Sequence, residues 1–312
     1  MEHSLEAADH RGMAGDRKLA LITGAAGFVG SRIAQRFVRE GMSVRALDRR
    51  PIDVAGVEAC LGDVADPAVA RRATEGAELV VHCAAVISGL PDETMRVNVE
   101  GTRVLLEAAI EARCERFLYM STFAVYALDD RAVVDESTPF LQEGPAFQLS
   151  RVRAEQAVWA AGARGLPVTV LRAPNILGVH PTSTWSVLLA QRILKGEFAL
   201  RGDGSGSFPY AHVDNLVEAV LAGVRTDRAV GQAYNIVDGQ TTGREYADRF
   251  CHWLGLSPLP GGQEGAPWRG RLSGAKAERE LTYVARVSYE EAMLEIERGL
   301  ALARAAAGEQ GR

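Results

Sequence analysis

Gly24, Gly27 and Gly30 fall at every third residue of Leu19-Ala20-Leu21-Ile22-Thr23-Gly24-Ala25-Ala26-Gly27-Phe28-Val29-Gly30. The run reads as a short buried strand, a glycine turn and the opening of a helix. Without Cβ atoms, these positions let the backbone turn sharply, approach a diphosphate closely and pack helix on strand. The N–H groups of Phe28, Val29 and Gly30 at the helix start would face that diphosphate. The flank fits, because Ser31-Arg32-Ile33-Ala34-Gln35-Arg36-Phe37-Val38 continues as an amphipathic helix. Asp48 ends the next strand, Ser43–Asp48, about twenty residues past the turn, where the adenosine ribose of a dinucleotide lies. Its carboxylate would accept from the 2′ and 3′ hydroxyls of NAD. Arg49 and Arg50 follow at once and could instead pair with a 2′-phosphate, so the residues support NAD and NADP alike.

Further along, Asp63 and Val64 leave a short strand end, with Asp63 placed for the adenine amino group. Cys83, Ala84 and Ala85 close a β-branched run from Glu78, and their small side chains would let the backbone run beside the cofactor. Pro174, Asn175 and Ile176 leave the carboxyl end of Pro167–Arg172, the edge where ligands bind in parallel sheets. The six His are scattered and no metal-ligand spacing appears. The four Cys form no C-x-x-C pair and read as reduced, buried thiols in a cytoplasmic protein.

These groups need a scaffold. The 312 residues are 47% hydrophobic and 24% charged, an ordinary globular balance. A formal charge of −5 gives no sign of nucleic-acid or membrane partners, and no apolar run reaches spanning length. Strands alternate with helices as far as Leu177, which predicts an α/β fold with a doubly wound parallel sheet. Helices are expected over Met95–Ala112, Phe147–Ala163, Ser183–Lys195, His212–Val224, Thr242–Gly255 and Ser288–Ala307. The Pro/Gly-rich connector Ser257–Gly270 is a candidate substrate flap. The sequence divides into a disordered leader (1–17), a dinucleotide-binding domain (18–178 and 207–238) and a smaller C-terminal substrate lobe (179–206 and 239–312).

Taken together, the motifs resemble the extended short-chain dehydrogenase/reductase family. They are T-G-x-x-G-x-x-G (Thr23 to Gly30), Asp48, G-D (Gly62-Asp63), H-x-A-A (His82 to Ala85) and N-x-x-G-T (Asn98 to Thr102). S-[ST]-x-x-V-Y (Ser121 to Tyr126), R-x-x-N-x-x-G (Arg172 to Gly178), H-V-D-[DN] (His212 to Asn215) and Y-N-[IV] (Tyr234 to Ile236) follow. The resemblance implies a Rossmann-type sheet, cofactor contacts from Asn98 and Ser121, and a hydroxyl–Tyr–Lys catalytic set. Thr122 matches the hydroxyl that aligns the carbonyl. The Y-x-x-S-K segment is matched by Phe147-Gln148-Leu149-Ser150-Arg151, so Phe147 replaces the Tyr and Arg151 the Lys.

That departure sets the functional expectation. Phenylalanine transfers no proton, and arginine is a fixed cation able to donate to the nicotinamide ribose but not to shuttle protons. The first reading is an NAD(P)H-dependent ketoreductase of a hydrophobic, polycyclic aromatic ketone. Its proton would come from a substrate phenol beside the ketone, or from water, Thr122, Ser88 or His180. Asn175 and Phe147 would line the substrate site. Phe208, with Pro209 and Tyr210, would suit a flat apolar ligand, and Trp185 and Trp268 could add to it. The high Ala, Arg and Gly content matches a GC-rich bacterial source. In that setting the chain is similar to atypical, angucyclinone-type ketoreductases of aromatic polyketide antibiotic pathways. The alternatives are a non-catalytic NAD(P)-binding sensor or scaffold and a nucleotide-sugar epimerase or dehydratase. The last is disfavoured because no Arg precedes the Phe208–Asp214 segment to hold a sugar-nucleotide diphosphate. Relatives also imply a homodimer through Asn98–Ala112 and Ser150–Ala163.

Overall fold

A computed structural model of the chain describes residues 18–129, 131–263 and 267–309. The expected leader lies outside the described residues. The first half runs β1 (Leu19–Thr23), α1 (Phe28–Arg39), β2 (Ser43–Asp48), β3 (Glu58–Leu61), α2 (Pro67–Thr74) and β4 (Leu79–His82). Helix α3 (Pro91–Met95) passes through a π turn (Arg96–Glu100) into α4 (Gly101–Glu111), then β5 (Arg116–Thr122), β6 (Val133–Val134), α5 (Ala146–Ala163) and β7 (Val168–Ala173). There follow β8 (Asn175–Leu177), α6 (Val187–Leu194), β9 (Leu200–Arg201), β10 (Ser207–His212), α7 (Val213–Arg225), β11 (Gln232–Asn235) and β12 (Gly239–Thr242). The chain ends with α8 (Gly243–Leu254), β13 (Gly261–Gln263), β14 (Arg271–Leu272), α9 (Ala275–Leu281) and α10 (Tyr289–Glu309).

Seven strands form one parallel sheet in the order β3-β2-β1-β4-β5-β7-β11. This is the doubly wound arrangement expected from the alternating pattern. Strand periodicity divides the core between the two faces. Phe117 and Tyr119 of β5 join the core under α2, α4 and α5, while Leu118 and Met120 join the one under α1 and α7. Thr23 pairs with Leu47 and His82, and His82 with Tyr119, so β2, β1 and β4 end nearly level while β5 runs on to Thr122. The residues just past them share one edge. That edge, at the reversal of strand order between β1 and β4, is where such sheets bind ligands.

The smaller lobe packs α6, α8 and α10 on a three-stranded sheet, β12-β10-β8. Thr242 caps α8 in a reciprocal box with Glu245, and Gly255 stops it in the left-handed region at φ 70°. Residues 271–283, placed by the sequence in the lobe, return to the large domain. β14 pairs with β6, and Ala277, Leu281 and Tyr283 pack into the α1/α7 core. The helix expected from Ser183 begins only at Val187. Ser183 and Ser186 donate their hydroxyls to the Gly178 carbonyl (3.0 and 2.6 Å) and hold a turn instead. The 257–270 connector is anchored too: β13 pairs with β9, and the Trp268 carbonyl accepts from Ser207 N–H at 2.7 Å. No helix among the described residues is long and apolar enough to cross a membrane.

Candidate active site

The glycine turn is shaped by close approach. Gly24 sits at φ 69°, and a Cβ there would lie 2.8 Å from the Ala84 nitrogen; one on Gly30 would lie 2.2 Å from the Gly24 carbonyl oxygen. A side chain at either position would fill the cradle. Helix α1 has no side-chain cap and no acid in its first turn. Its first N–H groups, on Phe28, Val29 and Gly30, are left for an anion. These residues fit a dinucleotide diphosphate.

At the end of β2, Asp48 accepts from Ala26 N–H and Arg50 N–H, both at 3.0 Å. The carboxylate is fixed against the turn, with Arg50 beside it (3.5 Å) and Arg49 reaching Glu93. Asp63 accepts from Ala65 N–H at 2.9 Å and Arg96 at 2.8 Å. Burial pushes its carboxyl up, but these two contacts and Arg49 outweigh it and hold the carboxyl below its ordinary value. Val64 lies under α4, where a Gly101 Cβ would strike its methyl at 2.8 Å.

The strand expected through Ala85 stops at His82, because its next polar groups find other partners. Ala84 N–H donates to Thr23 Oγ1 (3.2 Å), which meets His82 Nδ1 (2.7 Å); His82 Nε2 meets Thr102 Oγ1 (3.0 Å), which donates to the Asn98 carbonyl (2.6 Å). This chain of donors puts the His82 proton on Nε2. Burial, with Arg151 adding, holds His82 down to about 3, so it is neutral. Cys83 is half-buried, and burial pushes its thiol up to about 12 against the pull of Arg151.

Asn98 is enclosed in the π turn. It accepts from Val86 N–H (2.8 Å) and donates to the Val86 carbonyl (2.9 Å) and Ser150 Oγ (2.9 Å). Its amide clamps the loop after β4 to α5; the expected cofactor contact is taken up by protein. Ser88, in that loop, is exposed, beside the exposed apolar Ile87 and Leu90.

The positions expected to be catalytic lie at the end of β5 and in the first turns of α5. Thr122 ends β5 and accepts from Ala124 N–H at 3.2 Å. Phe147, in the first turn of α5, is half-buried, and its carbonyl accepts from Ser150 Oγ (2.7 Å). Arg151 is buried, donates to the Met120 carbonyl and stacks over Tyr119 at 4.7 Å. Among the described residues no carboxylate pairs with it. Ser121 turns the other way, giving its proton to the fully buried Glu155 (2.6 Å). Glu155 also receives Arg172 Nε (3.1 Å) and Trp159 Nε1 (3.2 Å). Tyr126, between Arg172 (2.7 Å) and Asn235 (2.7 Å), completes this network below the site.

From β7 onward, Pro174 and Asn175 are buried and Ile176 half-buried; Asn175 donates to the Pro209 carbonyl at 2.8 Å. His180 stacks on Phe28 with ring centroids 5.7 Å apart. Phe208 is buried instead of being presented to a ligand. The period of β10 turns it into the lobe core, stacked on Tyr246 (4.3 Å) and edge-on to Trp185 (5.0 Å). Trp268 donates to the Arg131 carbonyl at 2.9 Å. Among the described residues no group of three or more His, Cys, Asp or Glu could hold a metal.

Sequence reading missed the part that four side chains play in building the site. Thr23 and Thr102 were visible as motif letters, and their shared role through His82 was not. Arg96, the partner of Asp63, and Glu295, which binds His212 at 2.9 Å, carry no local signal because their partners lie 33 and 83 residues away.

A model of the NAD dependent epimerase/dehydratase family matches residues 20–237. Sterol demethylase protein B of Methylococcus capsulatus is 30% identical over 238 residues, covering 70% of this chain and 71% of that one. The 4-hydroxy-2-methyl-3-oxo-4-farnesyl-3,4-dihydroquinoline-1-oxide ketoreductase of Stigmatella aurantiaca is 30% identical over 228 residues, covering 70% and 67%. Among solved structures, the dTDP-glucose 4,6-dehydratase DesIV of Streptomyces venezuelae, with NAD and TYD bound, is 25% identical with a TM-score of 0.82. That likeness covers 92% of this chain and 98% of that one.

Proposed function

Because the chain belongs to the NAD dependent epimerase/dehydratase family, as an NAD-dependent oxidoreductase of the extended short-chain type, we propose that it is a ketoreductase. Its substrate in this reading is a hydrophobic, polycyclic aromatic ketone of an antibiotic pathway. The observation that carries the reading is the start of α5, where a half-buried phenyl group, Phe147, takes the Tyr position and a buried cation, Arg151, is fixed on the Met120 carbonyl of β5, the strand that Thr122 ends. Two relatives are named for a sterol and for a farnesylated quinoline oxide, and the second is a ketoreductase, which supports an apolar ring system.

When bound, the cofactor supplies a hydride from its nicotinamide. The chain's own residues do the rest. The glycine turn and α1 hold the diphosphate, and Asp48 the adenosine ribose. Arg151, fixed by the Met120 carbonyl, holds positive charge under the ends of β4 and β5. Thr122 donates to the carbonyl oxygen. The proton comes from outside Phe147, and a phenol hydrogen-bonded to the ketone within the substrate would polarise it and stabilise the developing alkoxide. The outer face of α4 and α5, where Arg103, Glu107, Arg153 and Arg164 surround Ala157 and Ala160, is the homodimer face in this reading.

The test is oxidation of NADH and NADPH against aromatic ketones with and without a phenol beside the carbonyl. Turnover confined to the phenolic members supports the proposal. Cofactor binding without turnover on any member replaces it with the sensor reading.

A further inference from the structure

The imidazole of His180 lies nearly parallel to the ring of Phe28, at 17°. Phe28 is the first residue of α1, the helix whose start faces the diphosphate. His180 Nδ1 accepts Thr182 N–H at 3.2 Å and lies 2.9 Å from Thr182 Oγ1, so the ring proton sits on Nε2. Among the described residues that Nε2–H has no hydrogen-bond partner, and the ring is half-buried. Arg50 adds charge at the same place, its guanidinium 3.8 Å from where a Gly27 Cβ would be. Burial, then Arg50 and Arg32, keep His180 below the ordinary imidazole value, leaving it a neutral donor. A helix start, a guanidinium and an unspent N–H therefore gather around one spot, and their chemical complement is an anion.

The position of His180 is set from the far end of the chain. Val179 N–H donates to Glu295 Oε1 of α10 at 3.2 Å. The Val179 side chain packs against Gly299, where a Cβ would come within 2.7 Å of its methyl. The other oxygen, Glu295 Oε2, receives His212 Nε2–H at 2.9 Å, since Asp214 N–H occupies His212 Nδ1. Arg32 of α1 lies 3.9 Å from Glu295 Oε1. One carboxylate thus ties the residue before His180 to the nucleotide-binding helix.

We propose that His180 is a cofactor-binding residue, donating its Nε2–H to the diphosphate of bound NAD, and that Glu295 is the residue that positions it. The inference rests on the cofactor reading of the site and gives His180 a role separate from substrate protonation.

Calorimetric titration of the full chain with NAD, ADP-ribose and adenosine tests it. His180→Phe keeps a ring on Phe28 and removes the donor. It should weaken NAD and ADP-ribose about tenfold, the loss of one hydrogen bond to a charged group, and leave adenosine within about twofold. Glu295→Ala should weaken the same two ligands, and Glu295→Gln, which keeps an acceptor for Val179 N–H but turns its NH2 toward His212 Nε2–H, should recover part of the loss. Thermal melting of each variant checks the fold. NAD affinity unchanged in His180→Phe, or an equal loss for adenosine, overturns the proposal while leaving the cofactor site standing. Failure of the unsubstituted protein to bind either NAD or ADP-ribose overturns both.

Discussion

Glu155→Gln replaces a carboxylate that is fully buried and surrounded by donors: Ser121 Oγ, two nitrogens of Arg172 and Trp159 Nε1. The amide has nearly the same shape but brings an NH2 group to face N–H and O–H groups. It also leaves the Arg172 guanidinium, itself only 4% exposed, without its counter-charge. Breaking a buried pair in this way costs about 3–5 kcal/mol. With an unfolding entropy of about 0.65 kcal/mol/K for a chain of this length, the melting midpoint should fall by about 5–8 °C. Urea unfolding followed by circular dichroism gives the free energy, and scanning fluorescence gives the midpoint. Replacing both partners, Glu155→Met with Arg172→Met, should recover most of the loss, because no lone charge is then buried. A single-variant loss under about 1 kcal/mol would refute the reasoning, as would a double variant no better than the single one.

Three further outcomes follow from the site. His82 is held down to about 3 by burial and Arg151, against about 6.5 in an unfolded chain. Protons therefore bind the unfolded state first, and the fold should lose about 4–5 kcal/mol as pH falls from about 6.5 towards 3. Urea midpoints across that range should show an acid limb that is shallower in His82→Gln, the remainder coming from carboxylates held low in the fold, such as Asp63 and Glu295; an identical limb in the variant would discard the assignment. Phe147→Tyr should leave ketone reduction within about twofold or lower it, whereas a gain of a general acid's usual hundredfold would mark the site as an ordinary one that has lost its Tyr. Thr122→Ala should lower kcat/KM by about tenfold or more if the hydroxyl aligns the carbonyl, and an unchanged value removes it from the mechanism.

What the sequence made legible was local. The glycine turn, the acid after β2 and the period-two strands each announce themselves within a dozen residues, and the parallel sheet follows from their alternation. Polar clamps across long separations were not legible. Asn98 reads as a helix residue until the loop at Val86 folds onto it, and Ser121 reads as a site hydroxyl until Glu155 arrives beneath it. Phe208 illustrates the limit for aromatics. Its neighbours suggested a flat ligand, but which way β10 turns depends on Tyr246 and Trp185, both remote in sequence. Ser183 and Ser186 shortened a helix through a carbonyl they bind in the preceding loop, a competition that propensity alone does not reveal.

The return of residues 271–283 to the main sheet bears on how the protein can be re-engineered. After leaving the large domain at β8 and again after β11, the chain comes back through β14 and α9 before departing for α10. A chimaera that exchanges specificity with a relative therefore cannot be made by joining one amino-terminal half to a foreign carboxyl-terminal half. The donor would have to supply three separate inserts, and a crossover between Asp238 and Arg271 would have to preserve the seam between β6 and β14.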